Sequence, residues 1–299
     1  MANSITLFKK FIDKLDEVYK QSAKTSILDG DSSLVQMGAN ANEIIIPKIS
    51  MDGLADYSRN GGYVDGDVTL TNETVQFNYD RGRAFSVDAM DNEETAGIAF
   101  GKLASEFIRT KVVPELDAFR FAKYAGLTGI SKVSAGATLS TGADVISALR
   151  VAITKMDEDE VPMEDRHLFI TPTLHGLIQD MDTTKSREVM GRFADITLVP
   201  QSRFYTAITL YDGKTDTSST DSGVNQKPGG FVKATAGKDI NFMVIHKPAI
   251  LQYTKHTVNK VITPEENQNA DAYKFPYRAY GLADAYENKV AGIYLHHKA

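Results

Sequence analysis

A chain of 299 residues with a formal net charge of −6, 42% hydrophobic and 24% charged, has the material for one large soluble domain or two modest ones. The absence of cysteine excludes disulfides, thiolate nucleophiles, zinc–cysteine sites and iron–sulfur clusters, and the mild acidity disfavours a sequence-reading nucleic-acid protein, though not a container for nucleic acid. No apolar run approaches the ~20 residues that span a bilayer, and the first residues lack the pattern of a secretory leader, so neither membrane insertion nor ordinary secretion is expected.

In chain order, Ile5, Phe8, Ile12, Leu15 and Val18 fall near helical spacing among Lys9, Lys10, Lys14 and Lys20. They predict a short surface or docking helix. A membrane-binding helix is disfavoured because Asp13, Asp16 and Glu17 dilute the positive charge. Residues 22–42 are rich in Ser, Gly, Asn and Asp and poor in aromatics, which predicts an extended arm that needs a partner surface to be ordered.

Strands are expected from 43 to 87. Ile44, Ile45, Ile46 and Ile49 lead to a turn-rich tip in which Asn60-Gly61 and Gly61-Gly62 are strong turn signals, and Val68, Leu70, Val75, Phe77 and Tyr79 return in approximate alternation. The result is a long hairpin with a polar tip. Such a hairpin cannot bury itself and must lie on another surface, such as a neighbouring subunit.

A helix is expected over 92–125, about 50 Å long. Asp91 and Glu94 read as its capping box, Ala96, Ala99, Phe100, Leu103 and Phe107 as its apolar stripe, continued by Leu116, Phe119 and Tyr124 beyond a kink at Pro114. An α/β unit follows: a helix through Ile146, Leu149, Ile153 and Met156 ending near an acidic run at 157–160, a strand HLFIT, a helix opened by Thr171-Pro172, and a strand DITLVP. Residues 212–230 read as an exposed loop. Strands resume at INFMVIH and over 250–262, and the chain ends in a strand pair within FPYRAYGLADAYENKVAGIYLHH.

No phosphate loop, dinucleotide fingerprint, nucleophile elbow or zinc-protease motif is present. The histidines, His167, His175, His246, His256, His296 and His297, are scattered and expected to be structural or solvent-facing. The run 157–160 reads as a solvated face, and Asp65 and Asp67 flank Gly66 without making a calcium loop. Arg59, Arg81 and Arg83 stand opposite Asp56, Asp65 and Asp67 near the hairpin tip or base. They read either as intersubunit ion pairs or as plain surface charge. No catalytic, cofactor-binding or metal-binding residue is assigned, and the chain is not expected to be an enzyme.

The order of parts (arm, long hairpin, long helix, α/β unit, closing strands) resembles the Hong Kong 97-like fold of tailed-bacteriophage major capsid proteins over nearly the whole chain. EIIIPKISMDGLADYSRNGGYVDGD and VQFNYDRGRAFSVD resemble that family's extended loop and its return strand, and VVPELDAFRFAKYA the second half of its spine helix. DITLVPQSRF and INFMVIHKPAI resemble strands of the axial domain, and YRAYGLADAYENKVAGIYLH the closing strands of the peripheral domain.

The resemblance implies an α+β chain with an N-terminal helix and arm (1–42), an extended β-hairpin loop with flanking strands (43–87), a long spine helix with the first part of the peripheral domain (88–140), an α/β axial domain (141–246) and the second part of the peripheral domain (247–299). It implies a coat protein that assembles with itself as hexamers and pentamers into the icosahedral head of a tailed phage, built in the host cytoplasm and found in the virion. Double-stranded DNA would be enclosed through non-specific contacts, with a portal and a separate scaffolding protein as partners, since no fused coiled coil is evident. No membrane, metal or cofactor is implied. Asp56, Arg59, Gly61, Gly62, Asp65 and Asp67 of the extended loop are the expected subunit contacts, and the loop 212–230 is expected near the tip of the axial domain. An encapsulin-like nanocompartment shell enclosing cargo enzymes is the nearest alternative, and a soluble α/β enzyme with a β-rich appendage a more remote one.

Overall fold

The computed structural model describes residues 22–30, 36–37, 43–94, 102–133, 135–181, 183–220 and 223–299. The expected helix over 5–20 lies outside them. Strand β1 (Gln36–Met37) pairs with β2 (Glu43–Met51), which pairs antiparallel with β3 (Val68–Gln76) in unbroken register from Glu43↔Gln76 to Met51↔Val68. The alternation from Val68 to Tyr79, expected as one strand, is two strands in two sheets. The chain leaves the hairpin at Phe77 and Asn78 and enters β4 (Tyr79–Asp88), which pairs with a later strand. Asn78 fixes the crossing: its side-chain amide donates to the carbonyl of Ala283 at 2.8 Å and accepts from the Ala283 amide at 3.1 Å.

Helix α1 (Ala89–Glu94) starts from Asp88, whose carboxylate accepts from the Met90 amide at 2.9 Å, so the expected cap at Asp91 sits inside the first turn instead. After the undescribed 95–101, a continuous rod runs over 103–125 as α2 (Leu103–Phe107), a π-helical turn (Ile108–Val112) and α3 (Val113–Ala125). Pro114 stands at the start of α3. A proline nitrogen cannot donate back one turn and its ring crowds that carbonyl, and the widened turn just before it relieves both problems. The buried side of α3 also differs from the expected stripe: Pro114, Ala118, Phe121, Tyr124 and Ala125 are buried, while Leu116 and Phe119 are half-buried.

The rest of the chain is β5 (Ser131–Lys132), α4 (Gly142–Glu158), β6 (Arg166–Ile170), α5 (Pro172–Met181), α6 (Thr184–Met190), β7 (Asp195–Leu198), β8 (Ile208–Leu210), β9 (Phe231–Lys233), β10 (Ile240–His246), β11 (Ile250–Asn259), β12 (Ala272–Ala285) and β13 (Ile293–His297). Helix α4 opens with a reciprocal capping box between Thr141 and Asp144. The acidic run at its end is not merely solvated: Asp157 pairs with Arg166 at 2.7 Å and with Arg192 at 3.1 Å.

Five strands form a sheet in the order β5-β13-β10-β6-β7, and three form another in the order β11-β12-β4. The final segment is therefore not a strand pair. Strand β12 lies between β11 and β4, whereas β13 crosses to the larger sheet, beside β10 and β5. Alternation along the five-stranded sheet decides its two faces. Leu168, Ile170, Phe242, Val244 and Tyr294 meet Val145, Leu149, Ile153 and Met156 of α4. Phe169, Met243, Ile245, Ile293 and Leu295 meet Phe121, Tyr124 and Ala125 of α3. The rod also packs on the smaller sheet, through Phe119 against Tyr79 and Phe107 against Phe85, Phe275 and Tyr277.

The arm expected to need a partner finds one within its own chain over 22–30. Leu28 joins the main core and Thr25 is fully buried.

Candidate functional site

The hairpin divides into an anchored base and an exposed outer half. At the base, Ile44 and Val75 pack on Leu251 and Leu282, with Ile46, Phe77, Tyr253 and Tyr286 around them, and Lys48 pairs with Glu287. Farther out the two faces of the ribbon part company. Ile49 pairs across the ribbon with Leu70 and Met51 with Val68, so all four side chains share one face. They are between 59% and 68% exposed.

Among the described residues, the hydrogen bonds of the tip, 52–67, are internal to it. The Asp52 amide donates to the Asp67 carbonyl and the Asp67 amide to the Asp52 carboxylate. Ser58 and Gly62 form an antiparallel bridge, and the Gly61 amide donates to the Ser58 hydroxyl at 3.1 Å. Gly62 takes φ +77°, which explains a glycine there; Gly61 does not take a positive φ. The rings of Tyr57 and Tyr63 meet at 4.9 Å across the bridge, and Leu54 and Tyr63 are open to solvent.

Of the expected contact residues, Asp56, Arg59, Gly61, Asp65 and Asp67 are exposed and Gly62 half-buried, all within this tip. Arg81 and Arg83 are not with them. From β4, Arg81 donates to Glu115 of the rod at 2.8 Å and to the Gly230 carbonyl at 3.4 Å. Arg83 donates to the carbonyls of Pro228 and Lys227 at 2.7 and 3.1 Å. Both guanidinium groups are thus engaged within their own chain, away from the tip carboxylates. The same contacts seat the end of the loop 212–230 against β4.

No family model matches the chain, and no curated protein matches it. Solved structures do. A chain from Mycobacterium phage Che8 is similar with a TM-score of 0.61 at 12% identity, over 97% of this chain and 98% of that one. A chain from the asymmetric unit of the bacteriophage PhiM1 mature capsid gives 0.60 at 10% identity, over 99% and 92%. A virus-like particle from Pyrococcus furiosus gives 0.52 at 10% identity, over 85% and 86%. The chain has the Hong Kong 97-like capsid fold. Identities this low establish the fold and nothing more.

In this capsid fold the rod 103–125 is the spine helix and the hairpin is the extended loop. The spine helix carries a buried polar cluster that the sequence reading missed. Asp117 accepts from the Thr25 hydroxyl at 2.8 Å, from the amides of Lys24 and Thr25, and from Arg203 at 2.8 Å. Arg120 donates to the Thr25 hydroxyl at 2.9 Å, and the Tyr124 hydroxyl donates to Gln252 at 2.6 Å. Gln252 in turn donates to the Thr25 carbonyl and to Asp29. Asp117, Arg120 and Tyr124 recur at helical spacing, which was the available signal. By sequence, Tyr124 belongs to the apolar stripe, and Asp117 and Arg120 have no assigned role.

Burial shifts several phenols and imidazoles. It pushes the phenols of Tyr79 and Tyr124 well above their ordinary range, Glu115 adding to the effect at Tyr79. It pushes His167 and His246 down, and His296, stacked on Phe242, down to about 4. Among the described residues, no three His, Asp or Glu side chains gather so as to hold a metal.

Proposed function

We propose that this chain is the major capsid protein of a tailed phage, a coat subunit that assembles into an icosahedral head around double-stranded DNA. The observation that carries the reading is the exposed apolar face of Ile49, Met51, Val68 and Leu70 on the outer half of the hairpin. Burying each such side chain is worth about 1.5–3 kcal/mol. The stem extends away from its base, so a second copy is the natural surface for it, and a closed shell repeats that contact in every subunit. Asp56, Arg59, Gly61, Gly62, Asp65 and Asp67 would lie at the same interface.

The five-stranded sheet with α4, α5 and α6 is assigned to the axial domain, and the sheet β11-β12-β4 with the spine helix to the peripheral domain. Strand β13 goes with the axial part. Hexamers and pentamers would form on a separate scaffolding protein around a portal in the host cytoplasm, and the finished shell would be the phage head. DNA contact would be through phosphates and water, without base reading. A structural role without catalysis is supported by the capsid fold and the lack of catalytic motifs.

Sedimentation and light scattering of the expressed full chain, alone and with a candidate scaffold, test the reading. Megadalton particles or capsomer rings are expected. A monomer or dimer under every condition would overturn it.

A further inference from the structure

We propose that Arg83 and Gly229 form a latch that fastens the ribbon 212–230 to β4 and so sets the pose of the extended hairpin; the proposal rests on the shell-subunit reading. Three observations carry it.

The ribbon is a self-held body. The Asp212 carboxylate accepts from the amides of Lys214 and Thr215 at 2.8 and 2.9 Å. Asp216 bridges to Asn225, the Gln226 amide donates to the Thr215 carbonyl at 2.9 Å, and Lys227 pairs with Asp216 at 3.2 Å. These bonds tie its two described arms to each other above the β8–β9 base.

The place where it meets β4 requires glycine twice over. Gly229 and Gly230 take φ +71° and +86°, a region side chains avoid. A Cβ on Gly229 would also stand 2.8 Å from Nη1 of Arg83. Because that atom ends a flexible side chain, an added methyl group would displace the guanidinium and undo the contact rather than deform the strand.

The third observation is continuity. Strand β4 is the direct extension of hairpin strand β3 through Phe77 and Asn78. Two residues before Arg83 and on the same face, Arg81 joins β4 to Glu115 of the spine helix and to the Gly230 carbonyl. Ribbon, spine and hairpin therefore meet on one short stretch of strand. Arg83 is a positioning residue: it acts on assembly through the hairpin's orientation.

The test uses the full chain as wild type, Gly229→Ala and Arg83→Gln, with Thr220→Ala at the far end of the ribbon as control. Hydrogen exchange of 212–230 and the diameters of assembled particles are read together. Both latch variants are expected to keep the wild-type melting transition and to exchange 212–230 about tenfold faster or more, since a charged hydrogen bond is worth at least that factor. Their particles are expected to lose uniform diameter, and the control to change neither quantity. Unchanged exchange in both variants would overturn the latch, and faster exchange with wild-type diameters would overturn its control of the hairpin. Should the wild type form no particles, the shell-subunit reading fails; faster exchange over 43–51 and 68–76 in the variants would still support the coupling, and its absence would overturn it.

Discussion

Asp117, midway along α3, lies 2.8 Å from the guanidinium of Arg203, and their side chains are 0% and 3% exposed. Removing one partner of a pair so deeply buried typically costs about 3–5 kcal/mol. Asp117→Ala is therefore expected to destabilise the chain by about that much in urea unfolding. It also removes the acceptor that holds Lys24 and Thr25, so limited proteolysis should cut within 22–30 before it cuts elsewhere. Unfolding at the wild-type midpoint would contradict this.

The exposed face of the hairpin separates assembly from folding. Ile49→Ser with Leu70→Ser removes apolar surface that the isolated chain does not bury. The monomer's stability should change by no more than about 0.5 kcal/mol. Particle yield, read by sedimentation, should fall steeply. A matching loss of monomer stability would mean that this face already packs within its own chain.

At the tip, only Gly62 takes a positive φ, so Gly62→Val should add about 1–3 kcal/mol of local strain while Gly61→Val adds little. Because the tip is bonded to itself among the described residues, the strain should appear as faster exchange at 56–64 and poorer assembly, with the global melting transition unmoved. Equal effects at both positions would contradict the turn geometry.

Acid should weaken the fold below neutral pH. His296 is held down to about 4 by burial, with His297 adding to the effect, and burial also lowers His167 and His246. The unfolded chain, titrating near the ordinary value of about 6.5, then binds more protons than the folded one. Stability is complete above that value and is lost progressively as pH falls to about 4 through His296. Urea midpoints at pH 7, 5 and 4 should decline in that order, and His296→Gln should flatten the decline. The opposite slope would contradict burial of the neutral ring.

These relationships were unequally legible in the sequence. Strand alternation and turn glycines disclosed the hairpin because its two strands are neighbours in sequence, nine pairs flanking a single tip. Helix α4 was legible for the same reason, with Ile146, Leu149, Ile153 and Met156 on one face. Two things were hidden. Strand β13 reaches the larger sheet because its partners β10 and β5 are remote in sequence, and nothing in IYLHH distinguishes one apolar sheet from another. Asp117, Arg120 and Arg203 are charged, and a charged residue reads as solvent-facing until its distant partners are known. Arg81 and Arg83 misled for a related reason. They were set against the acids of the hairpin tip, whereas their acceptors are Glu115 and the carbonyls of 227–230.

The central claim is that the outer half of the hairpin rests on another copy of the chain, and cryo-electron microscopy of assembled particles tests it most directly. The account predicts closed shells in which Ile49, Met51, Val68 and Leu70 are covered by a neighbouring subunit. Shells in which that face points into solvent, or a chain that never assembles, would contradict it.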